Sequence, residues 1–172
     1  MDRNFHLIAP SYLPTNISEA EILGTAVWLW MHSTMHQDAP LHALSTDLLP
    51  AIKHKQFALV VEDGKPVFYI SWANLSADAE QRYLNDASSP IPENEWNSGE
   101  NTWVLDWVAP FGHSVAMRSL LARTVFENRC FRSLYHRGNE KGLRVMNFHG
   151  NGVLPEEFKF WIDTHPVDLP NK

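Results

Sequence analysis

Ser33 and His36 are the first residues whose types and spacing could do chemistry; they close the stretch Trp28-Leu-Trp-Met-His-Ser-Thr-Met-His36. An apolar run from Ala26 to Met31 leads straight into this polar cluster. Three residues apart, Ser33 and His36 share a face if the helical path continues. A second stretch, Trp103-Val-Leu-Asp-Trp-Val-Ala-Pro-Phe-Gly112, places the carboxylate of Asp106 where a strand would put a core residue. Burying even a neutral polar group without a partner costs roughly 2–7 kcal/mol, and a charge costs more. Asp106 therefore needs a cation, several donors or a proton. It is either a structural carboxylate bonded to backbone amides at a strand end, or an acid that orients a histidine and raises its basicity. The expectation is that the chain folds so that His36 and Asp106 meet.

The same residues invite other chemistry. Ser33, His36 and Asp106 together suggest a serine hydrolase. The sequence has no Gly-x-Ser-x-Gly elbow, and a serine three residues before its histidine is more simply a hydrogen-bonding neighbour or a cap. His32 and His36 stand four apart with Asp38 nearby, but no third ligand has metal spacing, so no metal is expected. Cys130 falls in a strand with no evident base, which argues against a nucleophile.

Charge is segregated along the chain. Arg118, Arg123, Arg129, Arg132, Arg137, Lys141 and Arg144 are half of the 14 basic residues, opposed between 118 and 144 only by Glu127 and Glu140. Such a flank on a chain of net charge −6 suits an anionic partner, a phosphate group or an acidic protein surface, or is simply a solvated face. The overall charge argues against nucleic-acid binding. Neither Gly-x-Gly-x-x-Gly nor the P-loop pattern occurs.

The elements that must position these residues can be read in order. Residues 1–17, with Pro10 and Pro14, read as a loose arm, and residues 18–172 as one domain. Ser18 and Glu21 form a capping-box pattern, which predicts a helix to about Ser33, buried all round from Ala26 to Met31. A second helix is expected over 41–48, ended by Pro50. Phe57–Glu62 and Val67–Trp72 read as a hairpin through Asp63-Gly64, and Ser76–Asp86 as a polar-faced helix. A loop over 87–101 precedes a central strand, Thr102–Ala109. Ser114 is expected to cap a helix reaching about Asn128. Cys130–Tyr135 and Leu143–Phe148 read as strands joined by a turn around Gly138, before a last helix over 155–164. The fold class is α/β (α+β), a single domain with a mixed sheet flanked by helices. One cysteine allows no intrachain disulfide, no apolar run is long enough to span a membrane, and the N-terminus has no signal-peptide pattern, so a cytoplasmic protein is expected.

The blocks "AVWLWMHSTMH", "LLPAI", "ISWANLS", "YLND", "WNSGE" and "WVLDWVAPFG", in this order, resemble the RTX toxin-activating lysine acyltransferases, the hemolysin-activating family, over about residues 20–150. The resemblance implies a GNAT-like fold, a homodimer and a cytoplasmic bacterial enzyme. It implies transfer of a fatty acyl chain from acyl-carrier protein, the phosphopantetheine thioester serving as co-substrate, to internal lysines of an RTX protoxin, with no bound cofactor. It puts the family's histidine on His36, its neighbouring serine on Ser33 and its aspartate on Asp106. Arg118, Arg132, Arg137 and Lys141 become donor-docking candidates. Trp72 and Asn74 become candidates for the oxyanion or substrate pocket, and Trp28, Trp30, Trp72 and Trp103 could line an acyl channel or be plain core. The position after the serine is Thr34, where the family often has proline, and the 129–144 region matches weakly. The GNAT pyrophosphate loop is not visible, which fits a carrier-protein donor better than free coenzyme A. A coenzyme A-dependent acetyltransferase and a non-catalytic toxin chaperone are the alternatives.

Overall fold

The computed structural model describes residues 4–135, 142 and 144–167. The chain groups into two compact units, Met1–Trp72 with Asp106–Ser119, and Ala73–Leu105 with Leu120–Lys172. The architecture is α/β, with six strands in the order β1-β2-β3-β4-β5-β6: β1 (Phe5–Ile8), β2 (Phe57–Glu62), β3 (Lys65–Leu75), β4 (Asn101–Val108), β5 (Cys130–Leu134) and β6 (Val145–His149). The sheet is mixed, as expected for a GNAT-like fold: β1–β2, β2–β3 and β5–β6 pair antiparallel and β4–β5 parallel. The helices are α1 (Glu19–Met31), α2 (Leu49–Lys53), α3 (Ala77–Asn85), α4 (Ser114–Ala122) and α5 (Pro155–Thr164). Among the described residues no helix is long and apolar enough to cross a membrane.

In the first unit, α1 starts where the capping box predicts. Ser18 Oγ accepts from the Glu21 amide at 3.3 Å while the Ser18 amide donates to the Glu21 carboxylate at 2.9 Å. Ile22, Ala26, Leu29 and Trp30 then pack with Leu48, Ile52, Phe57, Leu59, Tyr69 and Val108. Full burial of such side chains is worth about 1.5–3 kcal/mol each, and this stripe seats the end of α1 on the sheet. The hairpin turns at Asp63 (φ 48°) and Gly64 (φ 80°), both left-handed as a two-residue turn of this type requires.

Four expectations change. Residues 5–8 are not part of a loose arm; they form β1, paired with Leu59–Glu62 of β2. Pro50 does not end a helix: a π-helical segment, Leu44–Leu48, runs into α2, and Pro50 sits in the first turn of α2, where no partner is needed for its missing N–H. The end of α1 is not buried all round, since Met31 is 66% exposed. In the second unit, α4 stops at Ala122 rather than Asn128. The amides of Asn151 and Gly152 take the carbonyls of Ala122 and Glu127, at 2.7 and 2.8 Å, so those acceptors are satisfied from another segment. The turn expected around Gly138 lies outside the described residues.

Candidate active site

Helix α1 ends because the next two residues cap its last turn. The amides of His32 and Ser33 donate to the carbonyls of Leu29 and Trp30, and His32 Nδ1 lies 2.7 Å from the Trp28 carbonyl. The next turn is closed on Ser33, whose carbonyl accepts from the amides of His36 and Gln37 at 3.0 and 2.9 Å. The helix proper is over, yet Ser33 and His36 still share a face, and Ser33 Oγ stands 2.8 Å from His36 Nδ1.

From β4, Asp106 meets this turn. His36 Nε2 is 2.8 Å from Asp106 Oδ1, with 16% of the histidine side chain and 14% of the aspartate side chain exposed. The pair is sheltered but still reachable from solvent. Asp106 Oδ1 also accepts from its neighbour's amide, Trp107 N, at 2.9 Å, and Oδ2 accepts from Trp30 Nε1 at 2.9 Å. Both readings of the carboxylate thus hold at once: it takes backbone and side-chain donors, and it orients a histidine. An ionised carboxylate only accepts, so the proton sits on Nε2 and the imidazole lone pair sits on Nδ1, facing the Ser33 hydroxyl.

Trp30 is the residue that sequence reasoning missed. Expected only as core or channel, its indole both donates to Asp106 and lies against His36, with ring centroids 5.0 Å apart at 31°. The available signal was its place in the last turn of α1, six residues before His36. A second imidazole–carboxylate pair, His113 Nε2 to Glu62 Oε2 at 2.9 Å, ties β2 to the loop before α4.

The remaining site expectations fare differently. Trp72 is 1% exposed and cannot line an open pocket. Its amide donates to the Gln56 carbonyl and that of Asn74 to the Trp96 carbonyl, so neither amide is free to hold an oxyanion. Asn74 has its side chain bonded to Asn97 and Thr102, and borders a cavity of about 690 Å³ within the second unit. Trp103 is fully buried, its indole donating to Glu80 at 2.7 Å.

Of the docking candidates, Arg118 is exposed on α4. Arg137 and Lys141 lie outside the described residues. Arg132 is a correction: it is 2% exposed, with Nη1 2.9 Å from Glu80, Nε 3.2 Å from Asn147 Oδ1, Nη2 on the His165 carbonyl and its guanidinium over the Trp161 ring. It lies in the buried half of β5, where burial lowers the guanidinium below its ordinary value and Glu80 opposes this only in part. Removing one partner of such a pair leaves the other charge buried, so Arg132→Ala should destabilise the protein by about 3–5 kcal/mol, measured by urea unfolding. Burial, then the Glu157 carboxylate, pushes the Cys130 thiol up from its ordinary value, against nucleophilic use. His32 Nδ1 lies on the Trp28 carbonyl, and both His36 nitrogens are engaged, one with Ser33 and one with Asp106.

The chain is similar to known proteins over most of its length. The family model described as "HlyC: RTX toxin acyltransferase family" matches residues 15–149. The leukotoxin-activating lysine-acyltransferase LtxC of Aggregatibacter actinomycetemcomitans is 40% identical over 134 residues, 77% of this chain and 78% of that protein. The protein-lysine myristoyltransferase HlyC of Escherichia coli is 39% identical over 133 residues, 77% of each chain. The protein-lysine myristoyltransferase RtxC of Kingella kingae is 37% identical over 131 residues, 76% of this chain and 77% of that protein. With its match covering most of its length, the chain belongs to the RTX toxin acyltransferase family.

Proposed function

We propose that this acyltransferase moves a fatty acyl chain from acyl-acyl-carrier protein to internal lysines of an RTX protoxin, with His36 as general base, Asp106 as its orienting carboxylate and Ser33 between base and substrate. The observation that carries this reading is the continuous chain Ser33 Oγ, His36 Nδ1, His36 Nε2, Asp106 Oδ1, with a 2.8 Å contact at each end. A lysine ε-ammonium, with an unperturbed pKa of about 10.4, is not nucleophilic at neutral pH. It surrenders a proton to the Ser33 hydroxyl as that hydroxyl passes its own to Nδ1. Asp106 stabilises the resulting imidazolium. The amine nitrogen then bonds to the thioester carbonyl carbon, the C–S bond breaks, and nitrogen loses a second proton; of the two protons it has given up, one goes through the relay to the departing thiolate and the other to solvent. The products are an amide on lysine and a free phosphopantetheine thiol.

The acidic carrier protein would dock on exposed basic side chains, of which Arg118 is one. A homodimer working in the bacterial cytoplasm, and the absence of a resident cofactor, belong to the same proposal. The test is to incubate the purified protein with a lysine-containing protoxin segment and either acyl-acyl-carrier protein or acyl-coenzyme A of equal chain length, and to map the modified residues by mass spectrometry. Amide-linked acyl groups from the carrier-protein donor are expected. Equal or better transfer from acyl-coenzyme A would favour the acetyltransferase-type alternative, and protoxin binding without transfer from either donor would favour the chaperone.

The serine contact supports a second reading, a covalent acyl-Ser33 intermediate. Ser33→Ala separates the two. As a relay and seat for the imidazole, Ser33 can be lost at a cost of about 10²-fold in kcat, the lower end of the usual worth of proton-transfer assistance. As the nucleophile, its loss would bring single-turnover transfer down to the uncatalysed rate.

A further inference from the structure

Two buried hydroxyls on β3 are unused by this mechanism. Tyr69 and Ser71 are both fully buried, and neither oxygen has a hydrogen-bond partner with acceptable geometry among the described residues. They stand two apart on β3 and so face the same side of the sheet, Tyr69 opposite Leu59 and Ser71 opposite Phe57. That side carries the core beneath α1, where Tyr69 packs with Trp30 and Val108. Asp106, two residues before Val108 on β4, faces the same way, and Trp30 is its indole donor. Burial first, and then the Asp106 charge, push the Tyr69 phenol above its ordinary value, so it remains a proton donor throughout; the nearby Ser71 hydroxyl opposes this.

Leaving a buried hydroxyl unsatisfied costs about 1–3 kcal/mol, and here two lie close together. A carboxylate offers about four acceptor positions, and Asp106 has three donors: Trp30 Nε1, His36 Nε2 and Trp107 N. We propose that Tyr69, backed by Ser71, is a positioning residue for the dyad: the two hydroxyls hold one enclosed water that donates to the remaining position on Asp106 and fixes the carboxylate for His36. Three polar partners are the usual complement of such a water. The groups facing Asp106 are His36 from the turn, Tyr69 from β3 and the uncharged Trp30 from α1, while Phe57 and Leu59 of β2 are apolar.

This inference rests on the proposed role of His36, and its test is chosen to separate the two. Tyr69→Phe keeps the ring packed against Phe57, at 6.3 Å, and removes only the hydroxyl. A carboxylate deprived of one donor holds an imidazolium more strongly, so the midpoint of the His36 imidazole titration, read by NMR without any acyl donor, should rise by about half a unit. In the transfer assay kcat should fall by about 10-fold with KM little changed, the scale of losing an outer hydrogen-bonding partner. Ser71→Ala should move both readings the same way and by less. Thermal stability should stay within a few degrees, because the aromatic ring keeps its packing against Phe57 and only one hydrogen bond is lost. A His36 midpoint unmoved in both variants overturns the proposal, whatever happens to activity. A moved midpoint in a protein that transfers no acyl group would keep the positioning role and refute the proposed chemistry.

Discussion

His36→Ala should abolish lysine acylation in an end-point assay while leaving a folded protein. General base catalysis is worth about 10²–10⁴-fold, and His36 is the only group offering a lone pair toward Ser33 among the described residues. The substitution also removes the imidazolium that Asp106 stabilises, so the upper end of that range is expected. Folding should survive for a specific reason. With the imidazole gone, Asp106 retains the Trp30 indole and the Trp107 amide as donors, and the side chain lost was not part of the packed core beneath α1. Circular dichroism and a melting curve close to those of the unaltered protein, beside acylation below detection by mass spectrometry, are the expected pair of results. Near-normal acylation by His36→Ala would remove the base assignment.

Asp106→Asn should cost a comparable factor, about 10²–10⁴ in kcat, by a different route. The amide preserves shape but removes the charge, and it brings an N–H₂ group into a ring of donors. His36 Nε2–H and Trp107 N–H point at one oxygen and Trp30 Nε1–H at the other, so an amide facing either side sets donor against donor. The simplest relief is for the imidazole to move its proton to Nδ1, which puts the proton where the mechanism needs the lone pair. Asp106→Ala removes the acceptor altogether and should add a stability loss of about 1–3 kcal/mol for each donor left buried without a partner. Asp106→Asn is therefore the cleaner experiment: kcat measured alongside the urea midpoint should show a large catalytic loss with the smaller change in stability. Activity within tenfold of the unaltered protein would mean that Asp106 only caps its strand.

Much of the fold was legible because its signals are local. The Ser18–Glu21 box and the Asp63-Gly64 turn each act within four residues, and each stands where the sequence places it. The misreadings share the opposite property. β1 exists because β2 has a free edge for Phe5–Ile8, and α4 ends where the Asn151 amide reaches back to the Ala122 carbonyl. Pro50 carries one local meaning at the end of a helix and another in its first turn, and only the path of the chain chooses between them.

The site divides along the same line. The sequence by itself determined that Asp106, an acid in an apolar strand, had to acquire partners, and that Ser33 and His36 would lie on one side of a turn. Only the tertiary structure decided that the imidazole is one of those partners, that the Trp30 indole is another, and that Arg132 is spent inside the protein on Glu80. The physical reason is that burial states a demand for hydrogen bonds which any suitable donor can meet. Which donor meets it depends on where helices and strands come to rest, and for His36 and Asp106 that meeting spans 70 residues of chain.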